Sequence, residues 1–143
     1  MTEINKPVGS YANKYRPQSL RDLVGQDLIR DTLINAISHN RIKQVFLFSG
    51  LHGTGKTSTA RILAKSLNCS RSDTPTVDPC GICENCRAIS LTTALDVIEI
   101  DIAADPSVDR VRELIENCYT NPINGRDRLY FLVVCHLWSN HAQ

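Results

Sequence analysis

Apolar and polar positions along the chain follow two periods, one typical of strands and one typical of helices. Short apolar runs predict three β-strands, which cover residues 44–48, 96–100 and 129–134. Apolar residues at helical spacing predict three helices, which cover residues 28–37, 57–67 and 108–118. A capping-box signal, Ser19 followed by Asp22, precedes the first helix. Because the strands are separated by helical segments, the pattern favours an α/β domain with a three-layer parallel sheet.

The length and composition fit one compact domain. The chain has 143 residues, of which 42% are apolar and 22% charged, as in ordinary globular proteins. Residues 1–13 are predicted to form a flexible arm and residues 14–143 to form the domain. Residues 69–86 contain four cysteines, two prolines and several small polar residues, which is typical of an insertion between two core elements.

Charge and terminal composition narrow the range of functions. A net charge of +1 provides no global attraction to nucleic acid or to an anionic membrane, so any DNA contact must be local. The polar N-terminus resembles neither a secretory signal nor a transit peptide, and no stretch reaches membrane-spanning length. Six cysteines without an export signal point to a reducing compartment, where a metal is favoured over disulfides. We therefore expect a cytoplasmic protein without a membrane partner.

Residues 50–57, with the sequence GLHGTGKT, fit the phosphate-binding pattern G-x-x-x-x-G-K-[ST]. Glycines let successive backbone N–H groups and the following helix N-terminus point at one anion. Lys56 is predicted to reach the β- and γ-phosphates, and the Thr57 hydroxyl to bind Mg²⁺. The residues predicted to bind the nucleotide here are Gly50, His52, Gly53, Thr54, Gly55, Lys56, Thr57 and Ser58. The alternative is a glycine-rich turn without a ligand.

The four cysteines of the insertion predict a zinc site. Their spacing is Cys69-x10-Cys80-x2-Cys83-x2-Cys86, and each C-x-x-C pair can bring two sulfur atoms to one ion through a tight turn, which Gly81 favours. Four protein ligands leave no open position for water, so the zinc would be structural. A redox dithiol and unrelated buried thiols are the alternatives. Cys118 and Cys135 lie on apolar faces and are predicted to be core residues.

Several motifs occur together in an order that resembles the bacterial DNA polymerase III gamma/tau subunits. They are Tyr15-Arg16-Pro17, Val24-Gly25-Gln26, the phosphate-binding pattern, the four-cysteine module and Ile98-Glu99-Ile100-Asp101. The resemblance runs from about residue 14 to the last residue. It is specific because a phosphate loop followed closely by this cysteine module is an unusual pairing.

The resemblance implies a fold and a role. In the family this part is a P-loop NTPase module of the AAA+ class, in a clamp loader that uses ATP to open the sliding clamp and place it on primed DNA. ATP with Mg²⁺ and Zn²⁺ would be the cofactors. Other clamp-loader subunits, the sliding clamp and primer-template DNA would be the partners. Tyr15, Arg16, Pro17 and Val24 would border the adenine pocket, whereas the alternative for residues 15–17 is a helix-entry segment.

The chain departs from the family pattern where ATP is hydrolysed. The family's two acidic residues would fall on Val133 and Val134, and no Asp or Glu follows Asp127. Asp101 ends a strand that, in the family's sheet order, lies three positions from the phosphate loop, or roughly 14 Å away. We therefore assign no catalytic residue and predict negligible ATP hydrolysis by this chain.

The family's pattern also has a further strand later in its sequence, and its arginine finger, lid and collar would lie beyond Gln143. From this we expect an incomplete sheet in a truncated or diverged gamma/tau-like protein. The alternative function is a nonhydrolysing structural or regulatory paralogue that binds zinc and partner subunits.

Overall fold

A computed structural model describes residues 15–48, 50–51, 53–101 and 108–133 of the chain. It has a short 3₁₀ helix, Leu20–Asp22, and four α-helices: α1 Asp27–Ser38, α2 Lys56–Asn68, α3 Glu84–Ser90 and α4 Val108–Cys118. Two strands, β1 Val97–Asp101 and β2 Leu129–Val133, complete the regular elements of the described part. The predicted arm, residues 1–13, lies outside the described residues. None of the helices in the described ranges has the length and apolar character needed to cross a bilayer.

Strands β1 and β2 pair in parallel, and α4 lies between them in the sequence. The register runs from Val97 opposite Leu129 to Asp101 opposite Val133. Both strands were predicted from their apolar runs to within one residue at either end. The α/β class with a parallel sheet is therefore confirmed for this pair of strands.

The predicted strand at residues 44–48 is wrong, because these residues form no regular secondary structure. Val45 and Leu47 are 84% and 91% exposed, whereas Phe46 and Phe48 pack against the core with their rings stacked 6.4 Å apart. The segment therefore has one buried face, as a strand would. It lacks a ladder of hydrogen bonds because the sheet of the described residues consists of β1 and β2 alone.

Helix α2 forms the centre of the core. Its side chains from Thr59 to Asn68 are buried almost without interruption, Arg61 being the exception. The main cluster of buried apolar side chains consists of Leu20, Leu23, Leu33, Ile37, Ile62, Leu63 and Leu67. Burial of this cluster joins the 3₁₀ helix and α1 to α2.

The apolar stripe predicted for α1 is only partly core. Leu33 and Ile37 are buried, but Leu28 is 82% exposed and Ile29 is 38% exposed. A helical stripe becomes core only where another element covers it. On the exposed N-terminal half of α1, Arg30 pairs with Asp27 at 2.6 Å and with Asp31 at 3.0 Å.

Asp96, directly before β1, holds the turn that leads into β2. Its buried carboxylate accepts hydrogen bonds of 2.6 Å from the backbone N–H groups of Ile123, Asn124 and Gly125. Burial acts to raise the pKa of Asp96, but these three N–H groups and the nearby Arg128 guanidinium outweigh it and hold the pKa below its ordinary value. The turn predicted at Asn124-Gly125 therefore takes its position from a charged group 28 residues earlier.

Asn68 holds the next residues of the same loop. Its buried side-chain oxygen accepts hydrogen bonds from the backbone N–H groups of Arg126 and Asp127, and its side-chain nitrogen donates to the Asp127 carbonyl. The Arg126 guanidinium in turn donates to the carbonyls of Leu67 and Ser72. Loop 123–128 is thus attached both to β1 and to the C-terminal end of α2.

We expect Asp96→Asn to lower the free energy of unfolding by about 2 kcal/mol or more, because an amide group would face backbone donors that need an acceptor. The contribution of the carboxylate is fully present above its unfolded-state pKa of about 4 and is lost as the pH falls through the lower folded-state pKa. Urea unfolding at neutral and acidic pH measures both effects. The exposed Asp73→Asn is the matched control and should change little; equal stability of the two variants would contradict this account.

Candidate functional site

The phosphate loop, residues 50–57, lies directly before and at the start of α2. Gly55 is the N-cap of α2 and has a left-handed backbone with φ +90°, which residues with a side chain rarely adopt. Gly53 is also left-handed, with φ +81°. The Thr54 hydroxyl donates to the Leu51 carbonyl at 2.9 Å and closes the turn. His52 lies outside the described residues. The loop therefore directs the chain into the N-terminus of a 13-residue helix, which favours anions.

The Lys56 ammonium group is held by the loop itself. Its Nζ donates to the carbonyl oxygens of Gly50 at 2.9 Å and Leu51 at 2.6 Å. Thr57 and Ser58 follow in the first turn of α2 and are half-buried. A phosphate group at the loop would compete with the two carbonyls for Lys56, and it offers the lysine a formal negative charge instead of two dipoles.

Of the four residues expected near the adenine, two lie beside α2 and two lie on the surface. Arg16 Nη1 donates to Ser58 Oγ at 3.3 Å, so this arginine lies beside the first turn of α2. Pro17 lines the same cavity as Arg16 and Ser58. Tyr15 and Val24 are 71% and 93% exposed. The structure thus brings Arg16 and Pro17 next to the phosphate-loop helix and leaves Tyr15 and Val24 on the surface.

The four cysteines of the insertion converge on one point. The sulfur atoms of Cys69, Cys80, Cys83 and Cys86 all lie within 4.8 Å of one another, and none of them is in a disulfide. Cys69 follows the last residue of α2, Cys83 is the N-cap of α3, and Cys86 lies in the first turn of α3. Gly81, with φ +70°, makes the turn between Cys80 and Cys83. This is a donor set of four thiols that can hold one metal ion.

Backbone N–H groups inside the cluster point at the sulfur atoms. Those of Cys80, Cys83 and Cys86 donate to the sulfur atoms of Cys69, Cys80 and Cys83, at 3.5, 3.3 and 3.4 Å. The bonds to Cys80 and Cys83 favour the thiolate form of these two acceptors, which is the form that binds metal. The backbone therefore prepares the cluster for a cation.

The thiols of the cluster differ in acidity. Burial acts to raise the pKa of Cys83, but hydrogen bonds from the Ser70 side chain and from the backbone N–H groups of Cys86 and Ser70 lower it to about 6. Burial also acts to raise the pKa of Cys80, but hydrogen bonds from the backbone N–H groups of Ile82 and Cys83 outweigh it, so this pKa too lies below its ordinary value. Burial, followed by the hydrogen bond with Cys83, raises the pKa of Cys86 well above its ordinary value. Binding of a metal by all four sulfur atoms would require the loss of the Cys86 proton.

One prediction about a side chain outside these sites needs correction. Cys118 was expected in the core, but it is exposed at the end of α4, where Ile115 beside it is also 54% exposed. The apolar face of α4 is therefore not covered at this position. Cys135 lies outside the described residues.

Sequence reasoning missed helix α3, whose N-cap and first turn supply two of the four thiols. Its signals are short and local: Cys83 acts as N-cap through its sulfur, Glu84 lies in the first turn and Arg87 in the last. A seven-residue helix shows too few turns for an apolar period to be recognised.

Comparison with known proteins shows the family of the chain. A family model described as DNA polymerase III, delta subunit matches residues 25–143. The chain belongs to this family. It is 44% identical over 131 residues to the DNA polymerase III subunit tau of Escherichia coli strain K12, an alignment that covers 92% of the chain and 20% of that relative. The DNA polymerase III subunit gamma of Buchnera aphidicola is 43% identical over 131 residues, with 92% of the chain and 36% of that relative covered.

The resemblance to gamma/tau subunits that the motifs indicated is thus confirmed. The chain spans about a fifth of the length of the tau relatives and about a third of the Buchnera gamma subunit.

We expect the cluster to bind one metal ion per chain through all four sulfur atoms. Co²⁺ titration should give the intense thiolate-to-cobalt absorption and visible bands of a tetrahedral site, with one equivalent at saturation. Cys83→Ser with Cys86→Ser should remove these bands, whereas Cys118→Ser, outside the cluster, should leave them unchanged. Identical spectra from all three proteins would exclude the cluster as the metal site.

Proposed function

We propose that the chain is a nucleotide-binding, gamma/tau-type subunit of the DNA polymerase III clamp loader, with an AAA+-type domain that binds ATP with Mg²⁺ and a structural zinc ion. The observation that carries this proposal is the glycine-capped phosphate loop at the N-terminus of α2, in a chain 44% identical to tau subunits. Clamp loading, the process in DNA replication that places the sliding clamp on primed DNA, is the role that the family membership supports.

ATP is proposed because the loop combines three features that a triphosphate requires. The left-handed Gly53 and Gly55 allow a narrow turn, the N-terminus of α2 supplies backbone donors, and Lys56 supplies a positive charge within the loop. Thr57 would hold the Mg²⁺ ion, which would neutralise negative charge on the phosphates. Arg16 and Pro17, beside Ser58, are proposed to lie on the side of the adenine.

Zinc is proposed for the four-cysteine cluster on the chemistry of its ligands. Four thiolates without a carboxylate or an imidazole favour Zn²⁺ among the common cellular metal ions. Because the ligands occupy all four tetrahedral positions, the ion would hold α3 against the end of α2 rather than activate water. In this proposal the zinc serves stability.

Hydrolysis of ATP by this chain alone is not part of the proposal. P-loop enzymes place a carboxylate on a strand beside the phosphate loop to complete the Mg²⁺ site and to orient water. Here β2 ends in Val133, and Val134 follows it in the sequence. Without these positioned charges, binding and hydrolysis become separate properties, and we propose that this chain retains the first.

The partners are proposed from the family. Other clamp-loader subunits, the sliding clamp and primer-template DNA are the macromolecules that a gamma/tau-type subunit would contact, and its location would be the cytoplasm. Arg126 and Arg128 have structural roles: Arg126 donates to the carbonyls of Leu67 and Ser72, and Arg128 lies 3.7 Å from the Asp96 carboxylate. They are not proposed as phosphate contacts.

A second function is a structural or regulatory module that binds zinc and partner subunits without nucleotide. The observation in its favour is that Lys56 already has two carbonyl partners inside the loop. Affinity for ATP decides between the two functions.

We expect Lys56→Ala to weaken binding of Mg-ATP by one to two powers of ten, which corresponds to the loss of about 1.5–3 kcal/mol from a charge-assisted hydrogen bond. Isothermal titration of the zinc-loaded chain measures the affinity. Lys43→Ala, which removes an exposed lysine a short way before the loop, is the control and should bind normally. Unchanged affinity in Lys56→Ala would remove the phosphate-loop proposal.

We expect the unaltered chain to show negligible steady-state ATPase activity and the double variant Val133→Asp with Val134→Glu to show at least about tenfold more. The restored carboxylates would position Mg²⁺ and the attacking water. Val133→Asn with Val134→Gln has the same shape without the charges and should remain inactive. Substantial turnover by the unaltered chain would show that hydrolysis does not need acids at these positions.

A further inference from the structure

Lys65, in the last turn of α2, is a buried cation. Its side chain is only 3% exposed, and its ammonium group donates a 2.6 Å hydrogen bond to Gln18 Oε1, a neutral acceptor. In the part of the chain that the structure describes, no Asp or Glu forms an ion pair with it. A lysine in this position therefore costs stability unless another negative group lies near it.

The cysteine cluster lies on the side of α2 that carries Lys65. Helix α3 packs against α2, and Ser90, one turn after Cys86 on α3, lines the same cavity as Lys65. The Ser90 hydroxyl donates to the Cys86 carbonyl at 2.9 Å. Burial lowers the pKa of Lys65, and negative charge at Cys86 acts against this change. The lysine is therefore within electrostatic reach of one of the four thiols.

Metal binding would change the charge beside Lys65. Four thiolates and one divalent ion leave an excess of two negative charges in the cluster. One of these thiolates, Cys69, directly follows the C-terminus of α2, where the helix dipole disfavours an anion. Lys65 is the basic residue of that last helical turn and precedes Cys69 by four residues. The buried cation and the negative metal centre would therefore compensate each other.

Gln18 holds the ammonium group but does not neutralise it. Its Nε2 donates to the Arg16 carbonyl at 2.9 Å, which leaves Oε1 as the acceptor for Lys65. An amide oxygen satisfies one N–H of the ammonium group without supplying a negative charge. The hydrogen bond and the charge of Lys65 can therefore be removed separately by substitution.

We propose that Lys65 is the countercharge of the metal centre: its ammonium group compensates the excess negative charge of the metal-bound cluster and strengthens metal binding without being a ligand. This role makes Lys65 a positioning residue for the centre. It rests on the proposed metal site at Cys69, Cys80, Cys83 and Cys86.

Lys65→Met in the full chain tests the charge. It should raise the dissociation constant for Co²⁺ about tenfold or more, because a charged partner of the centre is lost. The bands of a tetrahedral site should remain, since the four sulfur ligands are unchanged. Zn²⁺ competing against Co²⁺ should show a loss of similar size. The exposed Lys43→Met is the matched control and should bind like the unaltered chain.

Thermal unfolding with and without metal separates the charge from packing. Because Lys65→Met removes a buried cation, the metal-free variant should unfold at the same or a higher temperature than the metal-free unaltered chain. Zn²⁺ should then raise the unfolding temperature of the variant by less than that of the unaltered chain. An equal loss of stability in the metal-free and metal-loaded forms would make Lys65 a structural residue and overturn the proposal.

Two further variants separate the charge from the hydrogen bond. Gln18→Leu removes the neutral acceptor and keeps the ammonium group, so it should bind Co²⁺ as tightly as the unaltered chain or more tightly. Lys65→Arg keeps the positive charge and should bind Co²⁺ more tightly than Lys65→Met. Weakening of equal size in Gln18→Leu and Lys65→Met would assign the effect to the hydrogen bond and contradict the countercharge.

Titration of the unaltered chain distinguishes failure of the metal site from failure of this inference. If the unaltered chain gives no cobalt bands, both are overturned. If it gives them and Lys65→Met binds Co²⁺ with the same affinity, the metal site stands and the role of Lys65 alone is excluded.

Discussion

The burial of helix α2 is the constraint on which the rest of the described structure depends. Ile62, Leu63 and Leu67 join the 3₁₀ helix and α1 into one core, and the polar side chains of Lys65, Ser66 and Asn68 are buried with them. A helix enclosed on this many sides cannot rotate or shift without breaking contacts around its whole circumference. The two ends of α2 therefore have fixed positions relative to this core.

The two candidate sites lie at these two ends. The phosphate loop leads into the N-terminus at Lys56, and Cys69 follows the last residue, Asn68. Thirteen helical residues separate the ends by about 20 Å. The positive end of the helix dipole faces the proposed nucleotide. At the other end, the four thiols lie where α2 ends and α3 begins, so a bound metal would join these two helices.

Polar side chains rather than apolar ones fix the connection from the cysteine module to the sheet. Asp96 and Asn68 together bind the backbone of residues 123–127, which sets where β2 begins beside β1. Asn85 Nδ2, on α3, donates to the Asn68 carbonyl at 2.9 Å and the Asn124 carbonyl at 3.3 Å. Because buried polar groups cost free energy unless they are paired, this network permits one arrangement of the loop.

The sequence by itself determined the elements that depend on neighbouring residues: helices α1, α2 and α4, the runs of β1 and β2, the glycine-rich loop and the spacing of the four cysteines. These features could be read because local periodicity and turn chemistry act within a few residues of the chain. The sequence also indicated the family through motifs that the comparisons then confirmed.

Only the tertiary structure decided which apolar faces are covered and which distant groups meet. Within the described part of the chain, residues 44–48 have the composition of a strand but no neighbour to pair with, and no element covers the apolar stripes at Leu28 and Cys118. The convergence of Arg61 and Lys65 on one cavity likewise depends on α2 packing against residues 16–18 and α3. Burial and hydrogen-bond pairing are properties of surfaces brought together by folding, so they are not contained in the local pattern of residues.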